Sequence, residues 1–149
     1  MIVSADTNVF VYALDDRDRL KQDIAREVIA ILARQDQPIA LQVVGEVQNA
    51  LRRRLKMPAH LAAQQARNVF VSFPSFAYDA ACVDLALAYA GAGRFGYWDG
   101  LLLAACGRAG VQALLSEDMQ DGQAVGGVQI INPFGPDGLT TAALKSLQS

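Results

Sequence analysis

Histidine and cysteine are nearly absent from this chain: His60 is the single histidine, and Cys82 and Cys106 are the only cysteines among 149 residues. That scarcity excludes a zinc site, which needs several such ligands at short spacing. It also excludes a catalytic triad built on a histidine, because His60 falls on an expected surface helix. Both cysteines lie in apolar stretches expected to be helical, so they read as buried free thiols of a reducing compartment. No run reaches the ~18 uninterrupted apolar residues that span a bilayer, and Met1 to Asp6 lack the basic stretch and apolar core of a secretory signal. A cytoplasmic protein with no membrane segment is expected. Net charge is small as well: 13 basic against 15 acidic residues gives −2. Bulk positive charge therefore cannot hold the chain on nucleic acid or membrane, which leaves only a local basic stripe for that purpose. No glycine-rich phosphate loop follows the first apolar run, which removes the usual dinucleotide and nucleoside-triphosphate folds.

What is present is a core-forming composition, 52% hydrophobic, in a chain long enough to bury roughly two-thirds of its unfolded surface. Repeats, low-complexity tracts and linkers are missing before residue 133, so a single domain over 1–134 is expected, with 135–149 a frayed helix or a disordered tail. Residues 2–5 read as a strand ending at Asp6-Thr7-Asn8, where a helix starts. Leu20, Ile24, Val28, Ile31 and Leu32 mark a helix face before Pro38. Ile39 to Leu41 follow as a second strand. Val44, Val47, Leu51 and Leu55 mark a helix ending before Pro58, and Leu61, Ala62, Ala66, Val69 and Phe70 mark the next. Phe73 to Phe76 form an extended link. Asp79 caps a helix through Tyr89, and Trp98-Asp99-Gly100 opens another through Cys106; both are expected to be largely buried. Val111 to Leu115 and Val128 to Ile131 read as strands covered on both faces. Short strands alternating with helices predict an α/β fold with a short central parallel sheet and helices on both sides.

Open parallel sheets place their sites beyond the carboxyl ends of the strands. Asp6 ends the first strand, Asp118 follows the strand 111–115, and Glu46 and Asp99 come from helices with apolar neighbours. Each has an ordinary structural explanation. Asp6 and Asp99 are placed to be helix N-caps; Glu46 shares a stripe with Val43, Ala50 and Arg53 and suits a solvent edge or an intrahelical pair; Asp118 sits in a segment of turn chemistry. Carboxylates gathered at one end of a sheet repel, however, unless they share protons or a cation lies between them. Oxygen-only ligands suit a hard divalent ion, Mg2+ or Mn2+. A metal-assisted phosphodiester hydrolase survives this pruning.

The chain resembles the PIN-domain nucleases, and among them the VapC-type toxins of bacterial toxin-antitoxin modules. The matching pieces are Ser4 to Asn8, Val44 to Leu51, Tyr97-Trp98-Asp99 with its apolar helix, and Leu115 to Met119. The resemblance implies a three-layer α/β/α PIN-like fold whose acidic pocket holds Mg2+ or Mn2+ and cleaves RNA. Asp6, Glu46, Asp99 and Asp118 match the four catalytic acids, with Asp6, Asp99 and Asp118 as the metal ligands. Asn8 and Ser116 match polar positions flanking the pocket. A further acid often follows the last one, a place that Asp121 or Glu117 fills. The partners implied are an RNA substrate and an antitoxin protein; a homodimer is also expected, with 79–89 as either core or seam.

Arg52, Arg53, Arg54 and Lys56 lie beyond Glu46, and Arg53 falls on its stripe, where it can guide an RNA phosphate; the ordinary alternative is a solvated face. Tyr97 and Trp98 offer two readings, a hydrophobic staple or a surface for stacking an unpaired base. Among rival classes, a receiver domain lacks its late lysine, and a haloacid-dehalogenase-like phosphatase lacks its second aspartate, Asn8 standing there. The remaining alternative is a catalytically inactive PIN-like module that only binds an antitoxin or another protein.

Overall fold

The structure is a computed structural model that describes all 149 residues. Its main sheet is built from β1 (Val3–Ala5), β4 (Ala113–Leu115), β6 (Val128–Ile131) and β5 (Ala124–Val125), in the order β1-β4-β6-β5. The first three strands run parallel, with Ala5 beside Leu115 and Leu115 beside Ile131. Every residue of β1 and β4 is buried, as strands covered on both faces require. A separate parallel pair joins β2 (Ile39–Ala40) to β3 (Ser75–Phe76), so the extended link after Phe73 is a strand. β5 is antiparallel to β6. Gly126 and Gly127, with φ of 56° and 83°, form the tight turn between them, a conformation that glycine adopts without steric cost.

Seven helices surround the strands: α1 (Thr7–Tyr12), α2 (Arg19–Arg34), α3 (Leu41–Arg54), α4 (Ala59–Ser72), α5 (Ala80–Gly91), α6 (Tyr97–Arg108) and α7 (Thr141–Gln148). α1 packs on α2 and α3, α3 on α4, and α5 on α6, giving the α/β fold expected from the alternation of elements. The main core joins Val9, Ile24, Val28, Leu32, Val43, Val47 and Leu51 to the sheet residues Val3, Leu114, Leu115 and Ile130. No helix is long and apolar enough to cross a membrane.

Three expectations meet a different structure. α6 is buried from Gly100 to Cys106, but α5 buries only Cys82 and Ala86. Its two leucines, Leu85 and Leu87, flank the buried Ala86 on opposite sides of the helix and stay exposed; apolar composition alone could not show that most of the helix circumference has no neighbour. Residues 141–148, expected as a frayed helix or a disordered tail, form α7. That helix is capped by Thr140 and puts Ala143 and Leu147 into the core, while Gln35 Nε2 donates to the Leu147 carbonyl at 2.7 Å. Asp99 is not the N-cap of α6. Gly96 occupies that position and Asp99 lies in the first turn. Both cysteines are buried and free, and burial pushes the Cys106 thiol well above the ordinary range, so it is inert at neutral pH.

Candidate active site

The carboxyl end of β1 delivers Asp6, which begins α1. Its backbone N–H continues the sheet ladder to the Leu115 carbonyl at 2.9 Å. Its side chain is fixed at both oxygens: Oδ1 accepts from the Thr7 N–H at 2.6 Å and Oδ2 from Ser116 Oγ at 3.0 Å. Ser116 is fully buried at the end of β4, so two neighbouring strand ends hold one carboxylate between them. Two residues further along β4's exit, Asp118 accepts from Asn8 Nδ2. Across from α1, Glu46 on α3 accepts from Thr7 Oγ1 at 3.3 Å. Asp99 makes no hydrogen bond through its carboxylate to protein.

These four acids line one cleft of about 600 Å³, together with Thr7, Asn8, Asn49, Ala50, Arg53, Arg54 and Lys56. Burial raises the Asp6 carboxyl above its ordinary value, and the charge of Asp118 adds to it against the opposing bonds from Thr7 and Ser116. Partial burial and the charge of Asp6 raise Glu46. Asp99, although its side chain is open to solvent, is raised by desolvation within the cleft and by the charges of Asp6 and Asp118. The acids therefore sense one another, the electrostatic condition under which a cation is favoured.

No three Asp, Glu, His or Cys side chains close tightly enough to enclose an ion by themselves. The donor set is all oxygen and open on one side. It fits a hard ion that keeps several waters and takes one or two carboxylates, as Mg2+ does, and does not fit an enclosed cage.

The two further acids are engaged elsewhere. Glu117 pairs with Lys21 Nζ at 2.7 Å and accepts from Tyr12 Oη at 2.7 Å; Lys21 also lies 4.8 Å from the centroid of the Tyr12 ring. Asp121 accepts from the Asn132 N–H at 2.8 Å, tying its loop to the end of β6. Neither lines the cleft, so their visible roles are to hold the loop that carries Asp118. Sequence reasoning gave no role to Thr7 or Asn49. The Asp6-Thr7-Asn8 triplet carried the signal for Thr7, since a hydroxyl beside the strand-ending acid is within reach of a facing helix.

The cationic part of the cleft comes from the end of α3. Arg53 lies on the Glu46 stripe, as its spacing predicts. Lys56 reaches the cleft by a different route: it has φ of 54°, a left-handed conformation that costs a non-glycine residue roughly 1–2 kcal/mol. The Met57 N–H then returns to the Leu51 carbonyl at 3.1 Å. Arg52 is turned to the Met57 carbonyl at 3.0 Å and does not line the cleft.

No family model matches the chain, and no curated protein matches it in sequence. Solved structures do match in fold. VapC20 of Mycobacterium tuberculosis, described as a sarcin-ricin loop cleaving toxin, is 17% identical over 78% of this chain and 89% of its own, with a TM-score of 0.61. VapBC2 of Rickettsia felis, bound to a DNA fragment from its promoter, is 17% identical over 87% of this chain and 97% of its own, with a TM-score of 0.63. A toxin-antitoxin complex from Klebsiella pneumoniae is 16% identical over 85% of this chain and 94% of its own, with a TM-score of 0.56. With the matches spanning most of both chains, this protein has the fold of the PIN-domain toxins.

Proposed function

We propose that the chain is a Mg2+- or Mn2+-dependent endoribonuclease and the toxin component of a toxin-antitoxin module. The observation that carries this reading is one cleft lined by Asp6, Glu46, Asp99 and Asp118 and also by Arg53, Arg54 and Lys56. Acids alone would repel a phosphodiester, and cations alone would bind it without activating water. The sarcin-ricin loop cleaving toxin that shares the fold supports the substrate class. The complexes that share it support an antitoxin partner. The uncovered Leu85 and Leu87 of α5 support pairing of two copies.

Asp6, Asp99 and Asp118 would hold a divalent ion, which when bound would polarise the phosphate and lower the pKa of a bound water. Asp6 is the fixed point of the site, because Thr7 and Ser116 leave its carboxylate no freedom to turn. Asn8 holds Asp118 toward the same cleft. Glu46, anchored by Thr7 Oγ1, orients the attacking water. Arg53, Arg54 and Lys56 receive the flanking phosphates.

Incubation of the purified protein with single-stranded RNA tests the reading: cleavage in Mn2+ and none in excess chelator is expected, and equal cleavage in both would overturn it. Arg53→Ala is expected to weaken RNA affinity and to reduce the slope of log affinity against log salt by about 0.7, the value for one lost phosphate contact on a single strand. An unchanged slope in a binding titration would return Arg53 to a solvated helix face.

A further inference from the structure

Trp98 is the only tryptophan of the chain and is 61% exposed, in the first turn of α6 and immediately before Asp99. An aromatic residue ahead of an apolar helix ordinarily packs down as a staple. Tyr97 does so, lying against the small core of Cys82, Ala86 and Leu101. Trp98 does not. It meets Tyr97 edge to face, with ring centroids 4.9 Å apart and planes at 78°. The cations that cover rings elsewhere, Lys21 and Arg94, lie over Tyr12, Phe134, Tyr89 and Phe95.

The backbone beneath the ring is held in place. Gln42 Nε2, in the first turn of α3, donates to the Trp98 carbonyl at 2.9 Å. Glu46 lies one turn further along α3, and Arg53, Arg54 and Lys56 lie at its far end. Following α3 from one end to the other therefore leads from the backbone that carries the exposed Trp98, which borders the cleft through its neighbour Asp99, past the carboxylates, to three cations. A polyanion laid along this path has its phosphates neutralised at one end and a flat apolar surface at the other, and nucleic acid is the polymer that carries both phosphates and flat rings.

We propose that Trp98 is a stacking surface for an unpaired base next to the phosphate in the acidic cleft, so that the site selects single-stranded or looped RNA over duplex. The proposal rests on the ribonuclease reading above. In a duplex both faces of a base are already covered by its neighbours, whereas an unpaired base can exchange solvent for the indole.

The single tryptophan makes the test direct. Its fluorescence is followed while a short single-stranded oligoribonucleotide of mixed sequence, or the same strand in a blunt duplex, is titrated in Ca2+; affinity is read separately from the anisotropy of the labelled strand. The expected result is quenching by the single strand and not by the duplex. Trp98→Ala is expected to bind the single strand about tenfold or more weakly, the scale of one stacked base, and Trp98→Phe to recover most of that loss. In cleavage assays the Ala variant raises KM more than it lowers kcat. Binding of the single strand without quenching, or equal affinity of wild type and Trp98→Ala, would overturn the proposal and leave the ribonuclease reading standing. A variant that changes sedimentation but not RNA affinity would make Trp98 a protein-docking residue and overturn it too. Failure of wild type to bind either RNA would overturn both readings.

Discussion

Asp6→Asn and Asp99→Asn are each expected to lower RNA cleavage by about two orders of magnitude or more, the scale on which single charge-stabilising groups act in active sites, while the protein stays folded. Folding survives at Asp6 because an asparagine side chain can still accept from the Thr7 N–H, which is the capping half of what Asp6 does. The lost half is the negative charge on a buried carboxylate facing the cleft. At Asp99 no bond to protein is lost at all, so the substitution isolates the charge. Ser116→Ala removes one of the two anchors of Asp6 and should cost less, about 10- to 100-fold, as is usual for groups that orient a ligand. Initial rates on single-stranded RNA in Mn2+, with circular dichroism as the control for folding, check all three. Full activity in both Asn variants would contradict the assignment of these acids.

Metal is expected to stabilise the fold, and the carboxylates decide by how much. An ion that binds only the folded chain adds about 2.7 kcal/mol at a hundredfold excess over its dissociation constant, which raises the melting midpoint of a chain this size by about 5–10 °C. Asp99→Asn should raise the midpoint of the metal-free protein, because it removes a charge that Asp6 and Asp118 repel, and should shrink the increment that Mn2+ adds. The pH dependence follows in sign. Asp6, Glu46 and Asp99 are all raised in the fold, so they favour the native state below their unfolded values and lose that contribution as pH rises through the raised ones. The metal-free midpoint should therefore increase as pH falls through the raised values toward the ordinary carboxylate range. Further acidification reverses the trend, since Asp15 and Asp79 are lowered in the fold by Arg17 and by the Cys82 N–H respectively and lose their contribution as they are protonated. Thermal melts of wild type and Asp99→Asn, each with chelator and with Mn2+, measure all of this. An equal metal increment in the two proteins would remove Asp99 from the site.

The elements that carry the site were legible because their signals are local. A β-branched run ending in Asp6-Thr7-Asn8, an apolar helix led by Asp99 and a strand leading to Ser116 and Asp118 each announce a junction, and junctions at strand ends are where parallel sheets place chemistry. Long-range facts were not legible. Whether Glu117 or Asp121 joins the cleft depends on Lys21 and Tyr12, about a hundred positions away in the chain, which claim Glu117, and on Asn132, whose N–H claims Asp121. The exposure of α5 was hidden for the same reason: Leu85 and Leu87 are as apolar as Leu101 and Leu102, and only tertiary packing separates the two pairs. β5 is two residues long, below the length at which alternation can be read, although Gly126-Gly127 marks its turn. Lys56 was visible as a charge but not as a cleft residue, because its approach depends on a left-handed turn at the end of α3 that no glycine announced.

The acidic cleft is proposed to hold a divalent ion between Asp6, Asp99 and Asp118. Anomalous scattering from a crystal grown with Mn2+ tests this most directly. A peak among Asp6, Asp99 and Asp118 that disappears in the Asp6→Asn protein is the result expected. A Mn2+-loaded crystal with no peak in the cleft, or with the peak retained unchanged in the variant, would contradict the account.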